Sequence, residues 1–150
     1  MATARERGVT LLELLVGLVV GATLAALALP SYRQQLLRAY RFEAMEALLA
    51  ASTAQERFHL GHGRYAAWLG DDASAPPGEP ALPLASTSRG GRYRLELAEA
   101  GATGFRALAR PVAGRGQDAD AACAVFEIAA SGRRSARDAA GRDATRECWR

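Results

Sequence analysis

At 150 residues the chain is one domain's worth of polypeptide; its hydrophobic share of 49% is inflated by alanine and by one apolar run, while aromatics reach only 7%, so a large aromatic core is excluded. The formal charge of +3 is mild, and all 19 basic residues are arginine, which keeps its charge everywhere and binds phosphate bidentately, leaving DNA open as a partner. Two cysteines, Cys123 and Cys148, admit one intramolecular pairing, which an oxidising compartment favours.

The first element is the apolar run Val9 to Leu29, whose 21 residues approximate the length a helix needs to cross a bilayer core. Glu13 is its only formal charge. A carboxylate in hydrocarbon is costly and marks function, so it calls for a cationic partner. A secretory signal fits this segment poorly, because the run is long and Gly8 precedes it instead of a small-residue site following it. Gly17, Gly21 and Ala25 recur every four residues, a stripe that allows helices to approach closely. Pro30 then removes a helix donor and is expected to kink or interrupt the helix.

From Ser31 to about His59 the pattern is again helical. Leu37, Tyr40, Ala44, Leu48, Ala51 and Phe58 define an apolar face, while Arg38, Arg41, Thr53 and Arg57 fall on the others. Gly61 and Gly63 are expected to end it. Between His62 and Gly91 periodicity fades, and Pro76, Pro77, Pro80 and Pro83 disfavour long helices and central strands. Strand patterns follow. Tyr93, Leu95 and Leu97 alternate with Arg92, Arg94 and Glu96; Phe105, Ala107 and Ala109 alternate with Arg106, Leu108 and Arg110. A third run covers Cys123 to Ala129, Ser131-Gly132 turns the chain, and a short fourth strand starts near Arg133. A long helix followed by a strand meander is an α+β head.

Gly8, then Val9-Thr10-Leu11-Leu12-Glu13-Leu14, then the apolar span and Pro30-Ser31-Tyr32 resemble the N-terminus of a type IV prepilin. The family resemblance continues in Arg41-Phe42-Glu43-Ala44, Gln55-Glu56-Arg57-Phe58 and Gly63-Arg64-Tyr65, and in the Asp118, Asp120, Cys123 and Cys148-Trp149 pattern, all similar to PilE-like minor pilins. It implies the type IV pilin fold, a long hydrophobic helix packed on an antiparallel sheet. The implied organisation is a leader at 1–8, a transmembrane or filament-core helix at 9–29, its amphipathic continuation at 30–60, an αβ-loop at 61–91, and a sheet with a disulfide-closed C-terminal region at 92–150.

The same resemblance implies cleavage by prepilin peptidase between Gly8 and Val9, N-methylation of Val9, and pairing of Glu13 with another subunit's terminal amine during assembly. Its partners are then other pilin subunits, the peptidase, the pilus assembly machinery, and the membrane before assembly. The head lies outside the cytoplasm, first at the inner membrane and then on the extracellular pilus. The expected role is a minor pilin subunit serving motility, adhesion or DNA uptake, with a DNA-binding minor pilin of transformation and a type II secretion pseudopilin as alternatives.

Arg133, Arg134, Arg137, Arg142, Arg146 and Arg150 form a basic concentration, the first five of which a DNA-binding reading uses, interrupted by Asp138, Asp143 and Glu147. His59 and His62 have helical spacing without a third ligand nearby, and Asp71, Asp72, Asp118 and Asp120 lack the spacing of a calcium loop. No metal or other cofactor is called for. No nucleophile elbow or CxxC arrangement suggests catalysis, so the chain reads as a subunit rather than an enzyme.

Overall fold

The computed structural model describes residues 10–150. The chain forms two compact units, one ending at Leu36 and the other spanning Leu37–Arg150. A single helix, α1 (Leu11–His62), contributes to both.

In the first unit α1 is apolar up to Leu29 and exposed from Leu11 to Gln35, with Leu11, Leu18 and Leu27 among its most accessible side chains. It is long and apolar enough to cross a membrane. Thr10 opens it: its Oγ1 accepts a hydrogen bond from the Glu13 N–H at 3.2 Å, and its carbonyl accepts from the Leu14 N–H at 3.1 Å. Thr10-x-x-Glu13 is therefore the sequence of a capping box, placing the carboxylate in the first turn where the helix dipole favours it.

A β-carbon built on Gly17 or Gly21 meets nothing within 4 Å. Nothing inside this unit thus requires glycine there, although each costs about 1 kcal/mol of helix propensity relative to alanine. The helix runs through Pro30 without interruption. Proline removes the backbone donor that would have met the Ala26 carbonyl, and just beyond it the Ser31 hydroxyl donates to the Ala28 carbonyl at 2.9 Å.

In the second unit, α1 packs on one face of a four-stranded antiparallel meander in the order β1 (Tyr93–Ala100), β2 (Phe105–Pro111), β3 (Val125–Ala129), β4 (Arg134–Arg137). Strand alternation directs Tyr93, Leu95, Phe105, Ala107, Ala109, Phe126, Ile128 and Ala136 inward. They meet Ala44, Met45, Leu48, Ala51 and Phe58 from the helix, forming two adjoining apolar clusters. The small alanines on both surfaces let helix and sheet approach closely, while Tyr93 and Phe126 meet edge to face at 5.8 Å and Phe126 meets Trp149 at 6.0 Å.

Five details depart from the sequence pattern. Arg41, assigned to a solvent face, is buried; Leu37 and Tyr40, assigned to the core, are only half-buried. Gly61 lies inside the helix, and Gly63, at φ 68°, is the left-handed residue that ends it, its N–H donating to the His59 carbonyl at 2.8 Å. Leu108 points to the outer sheet face yet is 8% exposed, since the stems of Arg106 and Arg110 flank it. The third strand starts at Val125, because Cys123 belongs to a turn closed by its N–H on the Asp120 carbonyl at 3.1 Å.

The segment between α1 and β1 has little regular structure but is not loosely attached. Leu69 and Leu82 are buried and bridge each other, and the buried Gln55 amide both donates to the Ala66 carbonyl and accepts from the Ala66 N–H, each at 2.8 Å. Gly70 is required sterically, since a β-carbon there would stand 2.8 Å from the Leu82 carbonyl oxygen. Cys123 and Cys148 form a buried disulfide with a Cα separation of 5.8 Å, tying the short helix α2 (Thr145–Cys148) to the turn before β3.

Candidate nucleic-acid interface

Polar pairs, one buried and one half-buried, tie α1 to the rest of the head. Arg41 on α1 donates from Nε and Nη2 to the two oxygens of Asp120 at 2.7 and 2.9 Å, and Gln117 Nε2 donates to Asp120 Oδ2 and to the Leu37 carbonyl, both at 3.1 Å. The Asp120 hydrogen bonds hold the Arg41 guanidinium above its ordinary pKa, outweighing desolvation. This pair locks α1 to the turn that precedes the disulfide.

A second lock joins α1 to the entry of β1. Glu43 accepts from Arg92 and from the Ser88 hydroxyl, and Ser88 Oγ accepts from the Tyr93 N–H at 3.1 Å. A β-carbon on Gly90 would collide with the Glu43 carboxylate and the Arg92 guanidinium, so a side chain there would require this pair to shift. The Arg92 guanidinium also lies 3.8 Å above the Tyr40 ring. Burial pushes the Tyr93 phenol well above its ordinary pKa, so it remains a neutral core group.

The outer sheet face carries charges in transverse rows. Arg94 stands directly opposite Arg110; one step beyond the Ala109–Phe126 pair, Arg110 comes level with Val125, whose β4 partner is Arg137. Three arginines therefore lie in one line across the sheet, with Arg110 and Arg137 about 10 Å apart at the usual strand spacing. Like charges directly opposed across strands are unfavourable. Arg110 gains relief from Glu96 at 3.3 Å; among the described residues Arg94 and Arg137 make no salt bridge, although Asp143 forms a backbone β-bridge with Arg137 and feels its charge. The neighbouring Arg106 is held by Glu99 at 2.6 Å and faces Glu127 at 3.9 Å.

The sequence cluster Arg133, Arg134, Arg137, Arg142 and Arg146 does not form one patch. Arg133 lies at the β3–β4 turn, and Arg134 shares the inward parity of Ala136, placing its guanidinium 5.3 Å from the Trp149 ring centroid. Arg137 projects to the opposite face. Arg142 is held by Asp138, with Nε to Oδ2 at 2.7 Å and its backbone N–H to Oδ1 at 2.9 Å; that N–H leads the interactions keeping the Asp138 carboxyl below its usual range. Arg146 joins Arg38 and Arg150 at a cleft between α1 and α2. Between these surfaces, Asp138, Asp143 and Glu147 outnumber Arg142 and Arg146.

The two histidines face separate partners. His59 stacks on Tyr65 at 4.5 Å with its Nε2 3.1 Å from the Ala102 carbonyl, and His62 stacks on Phe58 at 4.0 Å with its Nδ1 3.0 Å from the Phe58 carbonyl. The aspartates serve local structure. Asp71 accepts from Ser86, Asp72 from Ser74 and Asp118 from the Gly114 N–H, while Asp120 holds Arg41. Gly8 and Val9 lie outside the described residues.

Sequence reasoning passed over Arg94 and Arg110 as interface residues. Their signal was parity: both occupy the polar phase of their strands, but only the register reveals that they are opposed. Thr10 carried a clearer local signal in Thr10-x-x-Glu13.

An exposed apolar helix and a disulfide-closed α+β head carrying arginines on its sheet define a filament-subunit architecture. Comparison with known proteins makes this specific. Residues 3–29 match the prokaryotic N-terminal methylation motif, and residues 30–127 match the model for type IV minor pilin ComP, DNA uptake sequence receptor. The chain belongs to this minor pilin family. It is also 34% identical over 70 residues to a fimbrial protein of Neisseria meningitidis serogroup B (strain ATCC BAA-335 / MC58), an alignment covering 47% of this chain and 39% of that relative.

Proposed function

We propose that this minor pilin captures DNA at the pilus, contacting backbone phosphates through Arg94, Arg110 and Arg137. The observation that carries the reading is the arginine row: among the described residues Arg94 and Arg137 make no salt bridge, and Arg94 and Arg110 are opposed across strands in a family described as a DNA uptake sequence receptor. A phosphate placed between opposed guanidiniums relieves their repulsion and accepts bidentate hydrogen bonds. Phosphate contacts provide affinity and position without reading sequence.

If the three arginines neutralise three phosphates, duplex affinity should vary with salt with a logarithmic slope of roughly −3, and replacing all three with glutamine should remove most of that slope. Titration of the full-length processed chain in detergent against duplex DNA at several salt concentrations tests this. Salt-insensitive binding, or an unchanged slope in Arg94→Gln/Arg110→Gln/Arg137→Gln, defeats the assignment.

For assembly, we infer cleavage after Gly8, methylation of Val9, and docking guided by Glu13 as the helix leaves lipid for a bundle of pilin helices. The peptidase, the assembly machinery and neighbouring pilins are its partners, and the head faces away from the cytoplasm. The N-terminal methylation motif supports this pathway. Mass spectrometry of the native N-terminus should find methylated Val9; a retained Met1 contradicts the processing step.

A further inference from the structure

The α1–α2 cleft of about 560 Å³ contains basic groups that the proposed sheet contact does not use. Arg38 and Phe42 approach from α1, and Arg146, Glu147 and Arg150 from α2 and the residues after it. Arg41 also lines the cleft, but Asp120 neutralises it. Among the described residues, Arg38, Arg146 and Arg150 make no salt bridge, and they outnumber the acids nearby, Glu147 in the cleft and Asp143, whose carboxylate feels the Arg146 charge.

Phe42 gives the cleft a second chemical character. It is 62% exposed, although most other aromatic side chains of the head are buried or half-buried. An exposed aromatic beside unpaired guanidiniums matches the two faces of a nucleotide, whose flat base stacks and whose phosphate accepts charged hydrogen bonds. In a duplex the base faces are occupied by their neighbours, so only an unpaired base can use the ring. The volume falls within the ~300–1,000 Å³ range of small-ligand sites, sufficient for nucleotide-sized groups.

We propose that the α1–α2 cleft binds a single nucleic-acid strand, stacking an unpaired base on Phe42 and seating the adjacent phosphates on Arg38, Arg146 and Arg150. This rests on the reading of the chain as a DNA-handling pilin, but it assigns a different site and a different form of the polymer. Arg146 and Arg150 lie beyond the matched family segment at 30–127. The disulfide supports its geometry, since Cys148 lies between those two arginines and Cys123 follows the turn in which Asp120 holds Arg41 beside Arg38.

The test uses full-length processed chain in detergent, with fluorescent oligothymidylate, an abasic strand of equal length and a duplex as probes. Phe42→Ala should weaken oligothymidylate binding about 10-fold, Phe42→Tyr should restore it, and duplex and abasic-strand binding should change less than about twofold. Arg38→Gln/Arg146→Gln should weaken both single strands. Because Phe42 is exposed, Phe42→Ala should retain the parent unfolding temperature.

Unchanged oligothymidylate binding by Phe42→Ala overturns the proposal, as does an equal loss for oligothymidylate and duplex. Loss of pilus incorporation by Phe42→Ala with intact oligothymidylate binding also overturns it, making the cleft a protein contact. Duplex binding that depends on Arg94, Arg110 and Arg137 with no Phe42 effect leaves the sheet reading standing while the cleft fails. Phe42-dependent strand binding without duplex binding gives the converse result.

Discussion

The segment up to Leu36 and the head from Leu37 onward solve the same polymer problem by opposite means. Among its described residues the first has no buried side chain: they lie along one helix, and its apolar residues from Leu11 to Leu29 are exposed. The head buries its apolar residues between α1 and the sheet, then fixes their arrangement with polar contacts far apart in sequence. Arg41 meets Asp120, Glu43 meets Arg92, and Gln55 meets Ala66. A segment that must exchange its surroundings needs internal backbone satisfaction and an adaptable exterior, whereas a head that presents charge needs its backbone held still.

The largest expected effect breaks the head alone. Asp120→Ala leaves the buried Arg41 guanidinium without its bidentate acceptor, and loss of one partner from a buried pair costs about 3–5 kcal/mol. Domains of ordinary stability retain roughly 5–15 kcal/mol in total, so the variant should unfold at much lower denaturant. Near-ultraviolet circular dichroism should report loss of aromatic packing before the helical signal disappears. Replacing both partners, as Arg41→Met/Asp120→Leu, should recover most of the loss because no stranded charge remains. Equal instability of the single and double variants contradicts an electrostatic cause.

Reduction of the disulfide is expected to rank next. Cys123 and Cys148 are separated by 25 residues, for which the chain-entropy model assigns roughly 3.5 kcal/mol. Denaturant unfolding with and without reductant should show that loss in the head, while helicity of the segment up to Leu36 persists. Because Arg146 and Arg150 flank Cys148, reduction should also weaken single-strand binding. A stability loss below about 1 kcal/mol argues that core packing alone holds α2.

The contrast also explains what could be read in advance. The apolar span, Glu13 and the alternating β1 and β2 residues are local signals, and their periodicity was sufficient to identify a helix followed by a meander. That order already describes an α+β head, and the type IV pilin resemblance added the packing of the helix on the sheet. Arg41 and Gln55 were hidden because a polar residue on a helix ordinarily reads as solvent-facing, and Asp120 lies 79 residues from Arg41. The C-terminal arginines misled in the opposite direction. Adjacent in sequence, they separate because β4 alternation directs Arg134 inward and Arg137 outward, Asp138 holds Arg142, and α2 carries Arg146 to α1. Conversely, Arg94 and Arg110 are distant enough in sequence to look unrelated, yet antiparallel pairing makes them neighbours.

The smallest structural effect tests the first segment and sharpens the role of Glu13. Its carboxylate can support a capping box or meet another subunit's amine, and Thr10 separates these uses because its hydroxyl receives the Glu13 N–H. Thr10→Val removes the cap at a cost of about 1 kcal/mol to the helix start while retaining the carboxylate. Glu13→Ala removes the charge while retaining the threonine. If assembly needs the carboxylate, Thr10→Val should enter pili near the parent level and Glu13→Ala should be processed normally but fail to enter. Quantifying both proteins in sheared pili and membranes distinguishes the roles. Equal losses assign Glu13 to helix initiation, and normal incorporation of Glu13→Ala defeats its assembly role; head stability should remain unchanged in both variants, because neither residue contributes to its core.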